Sequence, residues 1–158
     1  MVAVESTPEM VDGVYATLAK NQAVVRRRLG RALTLADKVL LGHLADPESQ
    51  EFVPGQSQLA LRPDRVALQD VLGQTVMLNF SQTRRASTAV PTTVHCDHLI
   101  QARVDGAPDL LESVAENDEV YSYLRSTSAK FGAGFWGPGA GIIHQVIIEN
   151  YAFPGALI

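Results

Sequence analysis

Ala89-Val90-Pro91-Thr92-Thr93-Val94 runs directly into His95-Cys96-Asp97-His98. The first six residues are rich in β-branched side chains and suit a buried strand, weakened where Pro91 withholds an amide from the ladder. The next four place an imidazole, a thiol, a carboxylate and a second imidazole in one loop at the strand's end. Upstream, Gln69-Asp70 precedes an apolar stretch over residues 71–80 (Val71, Leu72, Val76, Met77, Phe80) that reads as a buried helix. Downstream, residues 109–130 read as one charged helix with Leu111, Val114, Tyr121 and Leu124 as its core face and Gly132 as its stop. A strand between helical stretches favours an α/β fold with a mainly parallel sheet. Ligands of such folds gather beyond the carboxyl ends of the strands, where the His-Cys-Asp-His loop falls.

Toward the N-terminus, Val14, Leu18, Val25 and Leu29 form the stripe of an amphipathic helix over residues 13–29. Arg26-Arg27-Arg28 at its end suits the negative pole of the helix, with anion binding as the functional alternative. Thr34 and Asp37 have capping-box spacing ahead of Leu35, Val39, Leu40 and Leu44, and Asp46-Pro47 ends that second helix. A polar loop over residues 48–58 then leads to an alternating strand around Leu59 and Leu61, limited by Pro63. Toward the C-terminus, residues 131–141 concentrate glycine and aromatics, the composition of either a ligand-lining loop or a tight turn on Trp136. Tyr151-Ala152-Phe153-Pro154-Gly155-Ala156-Leu157-Ile158 reads as a turn opening a buried strand, which implies that the sequence stops mid-fold. No internal repeat or low-complexity tract interrupts the chain.

At 158 residues, 46% hydrophobic and 19% charged, the chain is sized for one globular core. A net charge of −4 argues against a general nucleic-acid binder. One cysteine, Cys96, excludes an internal disulfide and any self-contained zinc-thiolate or iron–sulfur site. Glu5, Glu9 and Asp12 fit neither a transit peptide nor a secretory signal, and no apolar run reaches the roughly 20 residues of a membrane span. A cytoplasmic location is therefore expected, with the mitochondrial matrix as the alternative.

Asp97-His98 is the better proton-transfer candidate, because a neighbouring carboxylate orients an imidazole and favours its charged form. The plainer reading is a helix-start pair. His95 reads as a hydrogen-bonded core residue, and Cys96 as a small buried one. A zinc site from residues 95–98 is disfavoured, because adjacent residues do not readily surround a tetrahedral ion. His144, set in apolar sequence, reads as a buried structural imidazole. Gln69 either begins a helix or holds a substrate carboxylate through its amide.

Taken together, three segments are specific. They are Leu61-Arg62-Pro63-Asp64-Arg65-Val66-Ala67-Leu68-Gln69-Asp70, Val90-Pro91-Thr92-Thr93-Val94-His95-Cys96-Asp97-His98-Leu99-Ile100 and Phe135-Trp136-Gly137-Pro138-Gly139-Ala140-Gly141-Ile142-Ile143-His144-Gln145. In this order they resemble the aconitase family, mitochondrial type, and the resemblance extends over residues 15–158, including Arg31-Ala32-Leu33-Thr34-Leu35-Ala36-Asp37-Lys38 and Ile148-Glu149-Asn150-Tyr151-Ala152-Phe153-Pro154-Gly155. The resemblance implies a hydro-lyase of the tricarboxylic acid cycle that interconverts citrate and isocitrate through cis-aconitate, with a 4Fe-4S cluster whose open iron acts as a Lewis acid. Carried over by motif, Gln69 matches a substrate-binding glutamine, Asp97 and His98 the pair that protonates the departing hydroxyl, and His144 another active-site histidine. Cys96 matches a non-ligand, so no metal ligand is expected in this chain.

Gly137 and Ala140 depart from the family, which more often has Lys or Arg and Ser there. The first departure loses a cation beside an anionic substrate, and the second a hydroxyl. The resemblance further implies an N-terminal fragment, with a helical segment over residues 1–30 and an incomplete three-layer α/β/α first domain over residues 31–158. Its expected partners are citrate, isocitrate, cis-aconitate and the missing C-terminal part of the same enzyme, with no membrane or nucleic acid. Without the cluster cysteines and the serine base, the isolated chain is expected to be inactive. The alternatives are a related hydro-lyase of the isopropylmalate or homoaconitate type, a noncatalytic truncated module, and a small zinc hydrolase on His95 and His98.

Overall fold

The computed structural model describes residues 3–158, which form two compact units. One comprises residues 3–5 with Arg65–Ala152, the other Ser6–Asp64 with Phe153–Ile158.

The first unit is built on three parallel strands, β1 (Val66–Gln69), β2 (Thr92–His95) and β3 (Gly134–Trp136), adjacent in that order. The register sets Leu68, Val94 and Phe135 in one row, and Gln69, His95 and Trp136 in the next. Successive side chains of a strand alternate between faces, so these rows point to opposite sides. The Leu68 row packs with Met77, Tyr121, Leu124 and Phe131 of helices α3 (Asp70–Gln82) and α5 (Asp118–Phe131). Trp136 and Ala67, on the other side, pack with Val146, Ile147 and Tyr151 at helix α6 (Ile143–Asn150). Helices thus cover both faces of a parallel sheet, as the α/β expectation required. Buried Arg65 lays its guanidinium 3.8 Å from the centroid of the Tyr151 ring on this second side.

Several elements differ from the sequence expectation. Strands β1 and β3, of four and three residues, are too short to show a period in sequence. The single helix expected over residues 109–130 is two, α4 (Gly106–Glu116) and α5, separated at Asn117. Helix α4 buries polar Asp109 and Ser113 instead of an apolar face, and Leu111 is left 73% exposed. Asp109 takes the amides of Arg103 and Val104, and Ser113 reaches the Leu99 carbonyl, so hydrogen bonds to loop 99–104 orient α4. Helix α3 buries Asp70, Gly73 and Met77, while Val71, Leu72 and Val76 face outward.

In the second unit, helix α1 (Pro8–Leu29) begins at the Thr7 cap and ends at Gly30, whose φ of 63° is the left-handed stop that glycine adopts freely. Leu18 and Val25 are buried on its inner stripe. Helix α2 (Leu35–Gly42) starts in the expected capping box, with Thr34 Oγ1 accepting from the Asp37 amide (3.1 Å) and Asp37 Oδ2 from the Thr34 amide (2.9 Å). Arg27 pairs with Glu48, and Arg28 donates to the carbonyls of Pro47 and Gln50 while lying over the Phe52 ring, so these two cations are structural.

The strand expected at Leu59 and Leu61 is a single antiparallel bridge, Leu44 to Leu61. The Gln50 side chain takes both the amide and the carbonyl of Ala60, occupying the groups a second strand would use. The turn expected at Pro154-Gly155 is present, but no strand follows it. Leu157 instead exchanges hydrogen bonds with Asp64, amide to carbonyl and amide to carboxylate, each 2.9 Å.

Candidate active site

Parallel strands in register end together, so Gln69, His95 and Trp136 lie abreast, and the residues after them gather at one edge of the sheet. Asp97 and His98 follow β2 by two and three residues. His98 Nδ1 stands 2.7 Å from Asp97 Oδ1 and 3.7 Å from Asp70 Oδ1, and its side chain remains 42% exposed. The shorter contact is close without being an aligned hydrogen bond, since Asp97 Oδ1 has no partner of hydrogen-bond geometry. Asp97 Oδ2 accepts from the Ile143 amide at 2.8 Å, so one carboxylate faces His98 and the start of α6 together.

His144 is the second residue of α6, immediately after the amide that Asp97 holds, and it is exposed. The expectation of a buried imidazole was therefore wrong. The apolar residues around it divide between faces, with Val146 and Ile147 buried and Ile142 and Ile148 outward. Gln69 is half-buried at the end of β1, in the row of His95 and Trp136, and its side chain makes no cap hydrogen bond to α3.

His95 does not join His98. Its row turns it to the α6 side of the sheet, fully buried, with Nε2 2.8 Å from Thr93 Oγ1 and the ring stacked on Trp136. Burial, aided by Arg65 and opposed by Asp97, lowers its pKa to about 4, so the ring is neutral near pH 7. A zinc site shared by His95 and His98 has no geometric basis here. Cys96 is buried at 1% exposure, and burial, with Asp70 and Asp97 nearby, pushes its thiol up to about 12. A single protonated thiol does not fit a four-iron cluster, which needs several thiolates.

The residue that the sequence reading passed over is Asp70. It looked like the acidic first turn of a helix, yet it is completely buried beside His98. Its Oδ1 accepts from the Val71 amide (3.0 Å) and its Oδ2 from the Leu99 amide (3.2 Å). Burial raises its pKa, and these two amides and His98 oppose that rise. Asp70, Asp97 and His98 each bring a potential ligand atom within 4.8 Å of the others, but both Asp70 oxygens already hold backbone amides. An acidic residue directly after a polar strand end was the only sequence signal for it.

Residues 37–158 match the family model described as aconitase family (aconitate hydratase). Over 144 residues, 91% of this chain, it is 54% identical to a protein of Emericella nidulans named aconitate hydratase, mitochondrial. It is 55% identical over 135 residues, 85% of the chain, to the protein of that name from Saccharomyces cerevisiae, and 51% identical over 144 residues to a probable mitochondrial aconitate hydratase of Caenorhabditis elegans. The chain spans about 18% of the length of these relatives. Their names place them in mitochondria and lend no support to the cytoplasmic expectation, and among the described residues no helix is long and apolar enough to cross a membrane. With the order of motifs, the parallel sheet and the family match in agreement, the chain belongs to the aconitase family.

Proposed function

We propose that these residues form part of an aconitate hydratase acting on citrate, isocitrate and cis-aconitate in the mitochondrial matrix. The observation that carries this reading is the Asp97–His98 pair at the carboxyl edge of the sheet. His98 Nδ1 stands against the Asp97 carboxylate and the side chain is partly exposed, which makes Nε2 the nitrogen left for a substrate. The imidazolium form donates its Nε2 proton to the departing hydroxyl as the C–O bond breaks and water leaves, while Asp97 balances the ring's charge. A base from the rest of the enzyme takes the proton of the neighbouring C–H bond, whose electron pair forms the new C=C bond. His144 stands next to Ile143, whose amide Asp97 holds, and Gln69 offers a neutral amide to a substrate carboxylate. The family's cluster finds no ligand set in these residues, whose single cysteine is buried and protonated.

Two experiments test this reading. The 158 residues alone are expected to form no cis-aconitate from citrate after anaerobic treatment with iron and sulfide, and robust turnover would overturn that expectation. Exchanging the matching 135 residues of the Saccharomyces relative for those of this chain is expected to keep cis-aconitate formation, read by its ultraviolet absorbance. His98→Gln in that chimera should lower kcat about 10²–10⁴-fold, the usual contribution of a positioned proton donor. An active chimera indifferent to His98→Gln would refute the assignment.

A further inference from the structure

Leu99, the residue after His98, has both sides of its backbone held by buried side chains. Its amide donates to Asp70 Oδ2 (3.2 Å), and its carbonyl accepts from Ser113 Oγ (3.0 Å). Ser113 Oγ also lies 2.7 Å from the Tyr121 hydroxyl. The single Ser113 hydrogen is committed to Leu99, so the Tyr121 hydroxyl is the donor in that contact. Asp70, Ser113 and Tyr121 are 0%, 3% and 3% exposed and come from the three helices α3, α4 and α5. Burial raises the pKa of Tyr121, which keeps the proton on that donor.

Burying a carboxylate and two hydroxyls is costly, and a helix start needs only a small surface polar cap. Here two buried side chains hold the backbone on either side of Leu99, a third donates to one of them, and Leu99 adjoins the exposed imidazole. On the other side of His98, Asp97 is anchored to the Ile143 amide. We propose that Asp70, Ser113 and Tyr121 are positioning residues for His98, Asp70 and Ser113 holding the backbone on either side of Leu99 and Tyr121 holding Ser113, so that the ring keeps Nδ1 on Asp97 and presents Nε2 outward. The functional meaning of that posture rests on the hydratase reading, but the posture itself is measurable without turnover. The charged or titratable groups around it are Asp97, Asp70, Cys96 and Tyr121.

The test is long-range ¹H–¹⁵N spectroscopy of the histidine rings in the ¹⁵N-labelled 158-residue chain, on the neutral rings in alkaline buffer. In the wild type, His98 should carry its proton on Nδ1. Ser113→Ala and Asp70→Ala should each lower the ratio of Nδ1–H to Nε2–H tautomer at His98 severalfold, because the ring then leaves the Asp97 carboxylate that stands 2.7 Å from Nδ1. Tyr121→Phe should lower it in the same direction. Asp70→Asn, which still offers an oxygen to the Leu99 amide, should recover most of what Asp70→Ala loses.

His95, in the adjoining strand but outside this network, is the internal control. Shifts at His98 with His95 unchanged support the proposal. An unchanged His98 ratio, or equal movement at both rings, overturns it in favour of a merely structural role. Should Asp70→Ala not fold, Ser113→Ala and Tyr121→Phe decide the matter. Failure here would leave the hydratase reading standing, and failure of the chimera would leave this result standing.

Discussion

His95 and Cys96 are sequence neighbours that the pleat turns to opposite faces, and burial acts on both by favouring their neutral forms. The Cys96 thiol, pushed up to about 12, holds almost no thiolate near neutrality. Native chain at pH 8 should therefore react with an aromatic disulfide reagent at least ~100-fold more slowly than urea-unfolded chain, because the thiolate is the reacting species and the sulfur is enclosed. Fast native labelling would contradict the burial. For His95 the sign follows from linkage. Above the ordinary value of 6.5 both folded and unfolded rings are neutral, and nothing is lost. Between 6.5 and about 4 only the unfolded chain takes up the proton, so stability falls as pH falls. From pH 6.5 to pH 5 the expected loss is about 2 kcal/mol. His95→Gln, which still reaches Thr93 but does not titrate, should lose about that much less over the same interval, as measured by urea unfolding. Equal acid sensitivity in both proteins would remove His95 as the cause.

Among the elements, β3 and α6 each depend on one close approach. A Cβ on Gly134, at the start of β3, would lie 2.8 Å from Val4 Cγ1 and 3.1 Å from Thr93 Cγ2. Both neighbours are β-branched and stiff at χ1, so Gly134→Ala should cost about 1–3 kcal/mol by overpacking, despite alanine's lower conformational entropy. A denaturation midpoint at or above that of the wild type would show that the strand accommodates the methyl group. At α6, Asp97→Ala leaves the Ile143 amide without its acceptor, with an expected cost of about 1 kcal/mol and faster hydrogen exchange at Ile143. Asp97→Asn keeps an acceptor and should preserve protection there while removing the charge opposite His98.

These contacts also explain which elements were legible in sequence. The Thr34 capping box and the Gly132 stop are hydrogen-bonding patterns closed within four residues, and both are present as read. The short strands have no period to detect. The break at Asn117 was invisible because its cause is α4's polar attachment to loop 99–104, outside the apolar pattern that joined the two helices.

Across the whole molecule, large apolar side chains remain at the surface. Leu72, Leu111, Ile142 and Ile148 of the first unit are between 62% and 73% exposed. Surface of this kind favours association. The 158-residue chain should bind a hydrophobic dye in its folded state and should sediment as larger species at tens of micromolar than when dilute, and a strictly monomeric, dye-silent chain would contradict this reading.

The sequence by itself determined the Thr34 capping box, the Gly132 stop, the α/β class, the order of the aconitase motifs and the lone cysteine that fits no cluster. All of these are local hydrogen-bonding patterns, composition or linear order. Only the tertiary structure decided that His95 faces away from His98, that His144 is exposed, and that Asp70 and Ser113, the latter held by Tyr121, meet at Leu99. Those outcomes depend on strand register and on which helix faces pack inward. The Asp70 to Leu99 bond joins residues 29 apart, and no periodicity along the chain reports a contact made across that distance.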